Sequence, residues 1–193
     1  MNRRTLPSLL VLSLLLSACA SGSEGGYFEG GTEPAPLCTG SSGSLILLAQ
    51  TVQDSTRLPC ITGYPAGWSY GGDDFRRGSA TYWLSSAIVG SGSRPVEVQL
   101  LPSCERIGER FTVQGTTGVD GYVTTDTVGE TRRFLFDGGC IVERISLPSG
   151  TDELVLEQAR GTLGFFGREV LAFQLQEDHG VTLCGAGAEP CVG

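Results

Sequence analysis

The sequence contains no lysine and a single histidine, His179, so arginine supplies every one of its 13 fixed cations. Acidic residues number 21, and the formal net charge is −8. Because phosphate backbones repel such a chain, we expect no nucleic-acid partner. A serine nucleophile needs an imidazole base, and His179 followed by Gly180 is more typical of a helix terminus than of a catalytic triad. The composition therefore favours a protein that is not an enzyme.

Long apolar runs are also missing. The longest, residues 9–16, is shorter than the roughly 20 residues that a membrane-spanning helix needs. It follows the basic start Met1-Asn2-Arg3-Arg4 and precedes the small residues Ser17 and Ala18. A basic start, a short apolar core and a small-residue exit together predict a cleaved secretory signal peptide over residues 1–18.

The exit of this segment, Leu16-Ser17-Ala18-Cys19, resembles the lipobox of bacterial lipoproteins, in which a leucine and two small residues precede an obligatory cysteine. The resemblance implies cleavage before Cys19, a diacylglycerol on its thiol and an acyl chain such as palmitate on its amine. It implies a protein anchored through Cys19 to the extracytoplasmic face of the cell membrane. Several acyl chains on one residue give stable anchoring where one chain binds only marginally. The alternative is a secreted protein with a chance cysteine at this position.

Residues 19–37 have the composition of a flexible tether, rich in glycine, serine and proline. Such a segment cannot bury enough apolar surface to offset the entropy of ordering. Residues 38–193 then form one extracytoplasmic domain, a length typical of single domains. Removal of residues 1–18 takes away two arginines and no acid, which leaves 11 arginines against 21 acidic residues.

Besides Cys19, the chain has six cysteines: Cys38, Cys60, Cys104, Cys140, Cys184 and Cys191. In an exported chain an even set predicts disulfides, here up to three. Without any Cys-x-x-Cys pair we expect no metal site and no cofactor. Cys104–Cys140 is the favoured disulfide, since both residues lie at the edges of predicted strands. Cys184–Cys191 would close a small loop, and a bond from Cys38 to this tail is the rival.

Short runs of β-branched and aromatic residues between glycine-rich turns predict an α+β fold, mainly antiparallel β with one or two helices and stabilised by disulfides. Alternation or β-rich composition predicts strands over residues 82–89, 96–100, 110–114 and 121–128. The strongest local pattern is a hairpin, in which Asp137-Gly138-Gly139 connects residues 132–136 to residues 140–145. A glycine there supplies the positive φ that such turns need.

Other segments are harder to assign. Residues 44–52 are apolar enough to be buried, either as a helix or as a strand. Residues 61–80 carry many glycines, which predicts loops, whereas residues 154–156 and 181–184 are predicted as strands. Residues 167–179 are predicted as a helix, because glutamate, leucine, alanine and glutamine dominate and a glycine follows the last residue.

Aromatic residues are concentrated between positions 64 and 83, where both tryptophans and three of the five tyrosines lie. Exposed rings in a loop would stack on sugars or anchor a partner protein. The candidate binding residues are Tyr64, Trp68, Tyr70 and Trp83. The alternative is that these rings pack over the core, where each buries about 150–250 Å².

The leading functional prediction is a lipid-anchored, non-enzymatic interaction or ligand-binding module of the cell envelope, with an envelope protein, glycan or lipid as partner. A lipid carrier with an apolar cavity is the alternative. An envelope hydrolase with paired carboxylates ranks third, because 21 acids indicate no specific pair. Several segments are similar to exported actinobacterial proteins without an assigned activity: residues 58–60, 65–69, 82–86 and 136–140. This resemblance implies the compartment and no mechanism.

Overall fold

The computed structural model of the protein describes residues 35–40, 42–90 and 93–185. Contacts between Cα atoms divide the chain into two units, Met1–Gly31 and Thr32–Gly193, and every described residue belongs to the second. The predicted signal peptide, Cys19 and most of the predicted tether lie outside the described residues. No helix of the described ranges has the length and hydrophobicity needed to cross a membrane.

The described residues form three helices and nine strands. The helices are α1 (Gly43–Thr51), α2 (Glu153–Arg160) and α3 (Arg168–His179). The strands are β1 (Arg57–Ile61), β2 (Trp68–Arg76), β3 (Ser79–Ser86), β4 (Val96–Leu101), β5 (Glu109–Phe111), β6 (Asp120–Thr125), β7 (Glu130–Phe136), β8 (Gly139–Ile145) and β9 (Leu163–Gly167). Seven strands form one antiparallel sheet in the order β2-β3-β4-β8-β7-β6-β5, and β1 pairs with β9 in a second sheet. The predicted α+β fold, mainly antiparallel β, is confirmed, with three helices instead of one or two.

The core lies on one face of the seven-stranded sheet, because successive side chains of a strand point to opposite faces. In β4 the side chains of Val96, Val98 and Leu100 are buried, as the alternation predicts. Helix α1 and the β1–β9 pair cover this face, and Phe165 of β9 meets Phe134 of β7 edge to face with ring centroids 5.1 Å apart. Each large apolar side chain buried here contributes about 1.5–3 kcal/mol.

Two helices follow from their end signals. The segment 44–52, ambiguous in the sequence, forms α1 up to Thr51, and Ser42 caps the N-terminus of this helix through a hydrogen bond from the Leu45 amide to Oγ at 3.2 Å. The predicted helix over residues 167–179 is confirmed as α3. It ends at Gly180 with φ of +63°, the left-handed conformation that glycine adopts without strain.

Three predictions of local structure are wrong. Residues 154–156, predicted as a strand, lie in α2. The side chain of Asp152 caps the N-terminus of this helix by accepting a hydrogen bond from the Leu154 amide. Residues 61–80, predicted as loops, contain strand β2, because its glycines accommodate a neighbouring indole ring. Residues 181–184 form no strand, since the Val181 amide donates back to the Leu175 carbonyl at the end of α3.

The predicted hairpin is confirmed as β7 and β8, with a shorter turn than expected. Phe136 and Gly139 are register partners, so the connection is Asp137-Gly138 alone. Gly138 has φ of +74°, and a Cβ there would lie 1.7 Å from the carbonyl oxygen of Asp54. The turn therefore requires glycine both for its conformation and for its close approach to the segment that precedes β1.

The disulfide prediction is confirmed for Cys104–Cys140, whose Cα atoms are 6.0 Å apart. The second disulfide joins Cys38 to Cys60, so the rival bond from Cys38 to the C-terminal tail is wrong. It fixes the entry of the domain to β1, where Leu37 also bridges Ile61. Cys184 is disulfide-bonded as well, and the prediction that Cys191 is its partner lies outside the described residues.

Candidate functional site

The four predicted aromatic binding residues do not form one surface. Trp68 and Tyr70 belong to β2 and face the core side of the sheet, where Trp68 is only 6% exposed. Trp83 lies on the opposite face of β3, because its neighbours Tyr82 and Leu84 are both buried in the core. Tyr64 precedes β2 and is 39% exposed. A binding role stays a prediction for all four residues, and Trp68 offers a ligand almost no exposed surface.

Trp83 is itself enclosed by its own domain. A Cβ on Gly71 would lie 2.5 Å from Trp83 Cδ1, and one on Gly72 would lie 2.7 Å from Cζ2, so the indole rests on the bare backbone of β2. The guanidinium of Arg94 covers the ring at 3.7 Å from its centroid, a cation–π contact. The ring is half-buried, and a ligand would have to displace Arg94 to stack on it.

Residues Gly67-Trp68-Ser69-Tyr70-Gly71 match the Gly-x-Ser-x-Gly pattern of serine hydrolases. In those enzymes the serine lies on a strained turn between a strand and a helix. Here Ser69 lies inside β2 and is the register partner of Ser85 in β3. The geometry of a nucleophile is absent at Ser69, and the match has no catalytic context.

A cleft with a volume of 520 Å³ lies where β1, the β7–β8 turn and the start of α3 meet. We call it the arginine cleft, and its polar side chains are Thr56, Arg57, Thr117, Asp137, Arg168 and Glu169. The rim is fixed in place, because the Thr56 hydroxyl donates to the Asp137 carbonyl at 2.7 Å. This volume falls within the range of ordinary small-molecule sites.

Arg168 is the most buried charged group of the arginine cleft, with 3% of the residue exposed. Its Nη1 donates to the Ala49 carbonyl at 2.7 Å, and its Nη2 donates to the Cys184 carbonyl. Burial lowers the pKa of the Arg168 guanidinium, and the negative charge of Asp54 only partly opposes this. Within the described ranges no carboxylate forms an ion pair with Arg168. The cleft thus contains a buried cation whose hydrogen bonds run to backbone carbonyls and not to a carboxylate.

Arg57 lies beside Arg168 at the rim. Its only hydrogen bond to the described residues runs from Nη2 to the Thr117 carbonyl at 3.4 Å. A Cβ added to Gly167 would lie 3.6 Å from Arg57 Nη1, so the guanidinium sits against the N-cap of α3. Gly167 provides no side-chain cap, and the positive end of the helix dipole is directed to the same place.

These two arginines converge on one concave surface. No family model, curated protein or solved structure matches the chain. The functional assignment consequently rests on the geometry of the arginine cleft and on the chemistry of its side chains.

A second polar group is buried inside the domain, between the sheet and α2. Glu143 of β8 is fully buried, and Arg132 of β7 donates to its Oε2 at 2.8 Å. Burial raises the pKa of Glu143 to about 7, although Arg132 acts in the opposite direction. Arg160 of α2 binds Glu130 at 2.5 Å, and this hydrogen bond raises the pKa of Arg160 more than its burial lowers it. The four side chains form alternating charges and tie α2 to the sheet.

Other chemistry in the described part of the chain is limited. His179 is exposed at the last residue of α3, about 16 Å along the helix axis from the arginine cleft at its first residue. No three His, Cys, Asp or Glu side chains of the described residues cluster as metal ligands would. Sequence reasoning missed Arg57 and Arg168, because residues 57, 137 and 168 share no local spacing.

Proposed function

We propose that the protein is a lipid-anchored, non-enzymatic ligand-binding module of the cell envelope, and that its ligand occupies the arginine cleft. The single observation behind this proposal is a cleft of 520 Å³ in which a buried arginine has no carboxylate partner among the described residues. Burying an unpaired charge is costly, so folded proteins usually pair such groups. A bound ligand would supply the missing partner.

The lining of the cleft favours a polar ligand over a lipid. A carrier for acyl chains needs apolar walls, and this cleft presents four charged side chains: Arg57, Asp137, Arg168 and Glu169. The core elsewhere is filled by Leu45, Leu48 and their neighbours, which are fully buried. The module is therefore the better supported of the two non-enzymatic predictions.

One observation favours the hydrolase as a second candidate. Asp137 and Glu169 line the same cleft, so two carboxylates of distant sequence positions face one space. A glycoside hydrolase needs such a pair on either side of its substrate. If this candidate holds, incubation of the protein with cell-wall glycan releases soluble fragments, and Asp137→Asn abolishes the release.

The anchor has a direct test. We expect the protein, produced in a bacterium with a lipoprotein pathway and fed labelled palmitate, to carry the label in the membrane fraction. The Cys19→Ser variant should carry none, whereas Cys191→Ser should be labelled like the wild type. Equal labelling of the wild type and Cys19→Ser would contradict the anchor.

The ligand has a separate test by native mass spectrometry of the membrane-extracted protein in neutral detergent. We expect a non-covalent adduct in the native spectrum that denaturation removes. Arg57→Gln should lose the adduct, and Arg77→Gln, an exposed arginine outside the cleft, should keep it. A bare mass for the wild type, or an adduct that both variants retain, would contradict the assignment of the ligand to this cleft. An adduct of lipid mass would instead support the carrier.

A further inference from the structure

The chemistry of the arginine cleft also indicates the class of its ligand. We infer that the ligand carries a monoanionic group, a carboxylate or a phosphodiester, which Arg57 binds beside the first turn of α3. This inference rests on the proposed function, because it specifies what the same cleft recognises.

The first argument is the distribution of ion pairs. Six arginines of the described residues contact a carboxylate at 3.8 Å or less: Arg76, Arg94, Arg110, Arg132, Arg144 and Arg160. Five described arginines have no such contact, although the chain carries 21 acids: Arg57, Arg77, Arg106, Arg133 and Arg168. Of these five, Arg57 and Arg168 line one cleft, so their positive charges add at a single concave surface.

The second argument is the geometry around Arg57. One of its N–H groups contacts the Thr117 carbonyl at 3.4 Å, which leaves the remaining donors of the planar fork for a ligand. Such a fork matches a carboxylate or phosphate group in bidentate fashion. Gly167 places no side chain between the guanidinium and the backbone of α3, so an anion held by Arg57 would also lie at the positive end of the 12-residue helix.

The third argument limits the charge of the ligand. Asp137 and Glu169 line the cleft as well, so its charged residues are two arginines and two acids. A ligand with one negative charge is attracted by Arg57, whereas a second negative charge would be repelled by these carboxylates at short range. The cleft is therefore suited to a monoanion and less suited to the phosphate dianion.

The test measures thermal unfolding of the full-length lipoprotein in neutral detergent, followed by tryptophan fluorescence. Acetate and dimethyl phosphate are the two monoanionic probes, inorganic phosphate is the dianion, and chloride at equal ionic strength is the control. We expect acetate, dimethyl phosphate or both to raise the midpoint saturably, because ligands of the folded state stabilise it. The probe that acts identifies the group as a carboxylate or as a phosphodiester.

The variants connect this effect to Arg57. Arg57→Gln should weaken the apparent affinity for the active probe about tenfold, as expected for the loss of a charge-assisted bidentate contact. Arg77→Gln should match the wild type. If Arg57→Gln shows no cooperative unfolding, Arg57→Lys keeps the charge but loses the fork, and it should weaken binding by a smaller factor.

Several results would overturn the inference: equal responses to chloride and to both monoanions, equal affinity of the wild type and Arg57→Gln, or tighter binding of the phosphate dianion. A native-mass adduct in the absence of any anion effect overturns only the inference, because the ligand is then uncharged. Absence of both an adduct and an anion effect contradicts the proposed function as well.

Discussion

The raised pKa of the buried Glu143 carboxyl predicts how the free energy of unfolding depends on pH. Burial raises its pKa from an ordinary 4.5 to about 7, against the attraction of Arg132. Between these two values the folded protein keeps a proton that the unfolded chain has released, so the free energy of unfolding falls as the pH rises. At 1.36 kcal/mol per pH unit the loss amounts to about 3 kcal/mol and is complete above pH 7.

The substitution Glu143→Gln isolates this effect. In the wild type, Arg132 donates a hydrogen bond to Glu143 Oε2. The glutamine amide is uncharged at every pH, and its oxygen can accept the same hydrogen bond. We expect the variant to match the wild type near pH 4.5 and to exceed its free energy of unfolding by about 3 kcal/mol at pH 8. Glu105→Gln, an exposed acid, is the control for the removal of one charge and should leave the pH dependence of the wild type intact.

The assay is urea unfolding of the disulfide-intact protein at several pH values between 4.5 and 8, followed by tryptophan fluorescence. The difference between the wild type and Glu143→Gln is the relevant quantity, because it subtracts the contributions that the two proteins share. A difference that does not grow with pH, or one in which the wild type is the more stable protein at pH 8, would refute the reasoning.

Three further predictions concern the framework of the domain. Replacing Cys104 and Cys140 by serine should lower the free energy of unfolding by about 4 kcal/mol, since their bond closes a loop of 36 residues; an unchanged urea midpoint would show that the loop is already restricted in the unfolded chain. Gly138→Ala should destabilise by about 2 kcal/mol or more beyond Gly118→Ala, because both have positive φ but only the Cβ at position 138 would meet backbone, 1.7 Å from Asp54 O. Gly71→Ala should displace the Trp83 ring and alter the tryptophan emission spectrum, with Gly63→Ala as the matched control, because neither glycine has a positive φ and a Cβ at position 63 meets nothing within 4 Å; identical spectra would mean that the indole does not rest on β2.

Much of the fold was accessible from local sequence patterns. The strict alternation of Val96, Val98 and Leu100 predicted β4, because the period of two follows directly from strand geometry. The turn glycine predicted the β7–β8 hairpin, and Gly180 predicted the end of α3. These elements share a feature, in that the chemistry of one or two positions fixes the backbone locally.

Other elements depend on contacts that sequence patterns do not express. The glycines of β2 have the composition of a loop, yet Gly71 and Gly72 are required by the indole of Trp83 on the neighbouring strand. The run Leu154-Val155-Leu156 has the composition of a strand, and the preceding Asp152 was the signal for a helix cap that would have corrected it. In β2 a tertiary contact outweighed the loop propensity of glycine, and in α2 a helix cap outweighed the strand propensity of the sequence.

The candidate site was beyond sequence reasoning for a different physical reason. The arginine cleft is assembled from residues around positions 57, 137 and 168, and the two sheets and α3 bring them together only after folding. The aromatic segment drew attention because its members are close in sequence. Because side chains alternate between the two faces of a strand, Trp68 lies on the core side of the sheet and Trp83 on the opposite side. These residues are therefore close in sequence but lie on different faces of the sheet.

The contrast between the two buried arginine groups strengthens the assignment of the ligand to the cleft. Arg132 and Arg160 lie between sheet and helix, and each has a glutamate at 2.5–2.8 Å, so that group is neutralised by the protein itself. Arg168 is more deeply buried than either, and only carbonyl oxygens receive its hydrogen bonds. Acidic residues outnumber arginines in this chain, and glutamates form the ion pairs of Arg132 and Arg160 inside the domain. Arg57 and Arg168 form no ion pair with the acids that line the same cleft, and a partner from outside the domain would supply the missing contact.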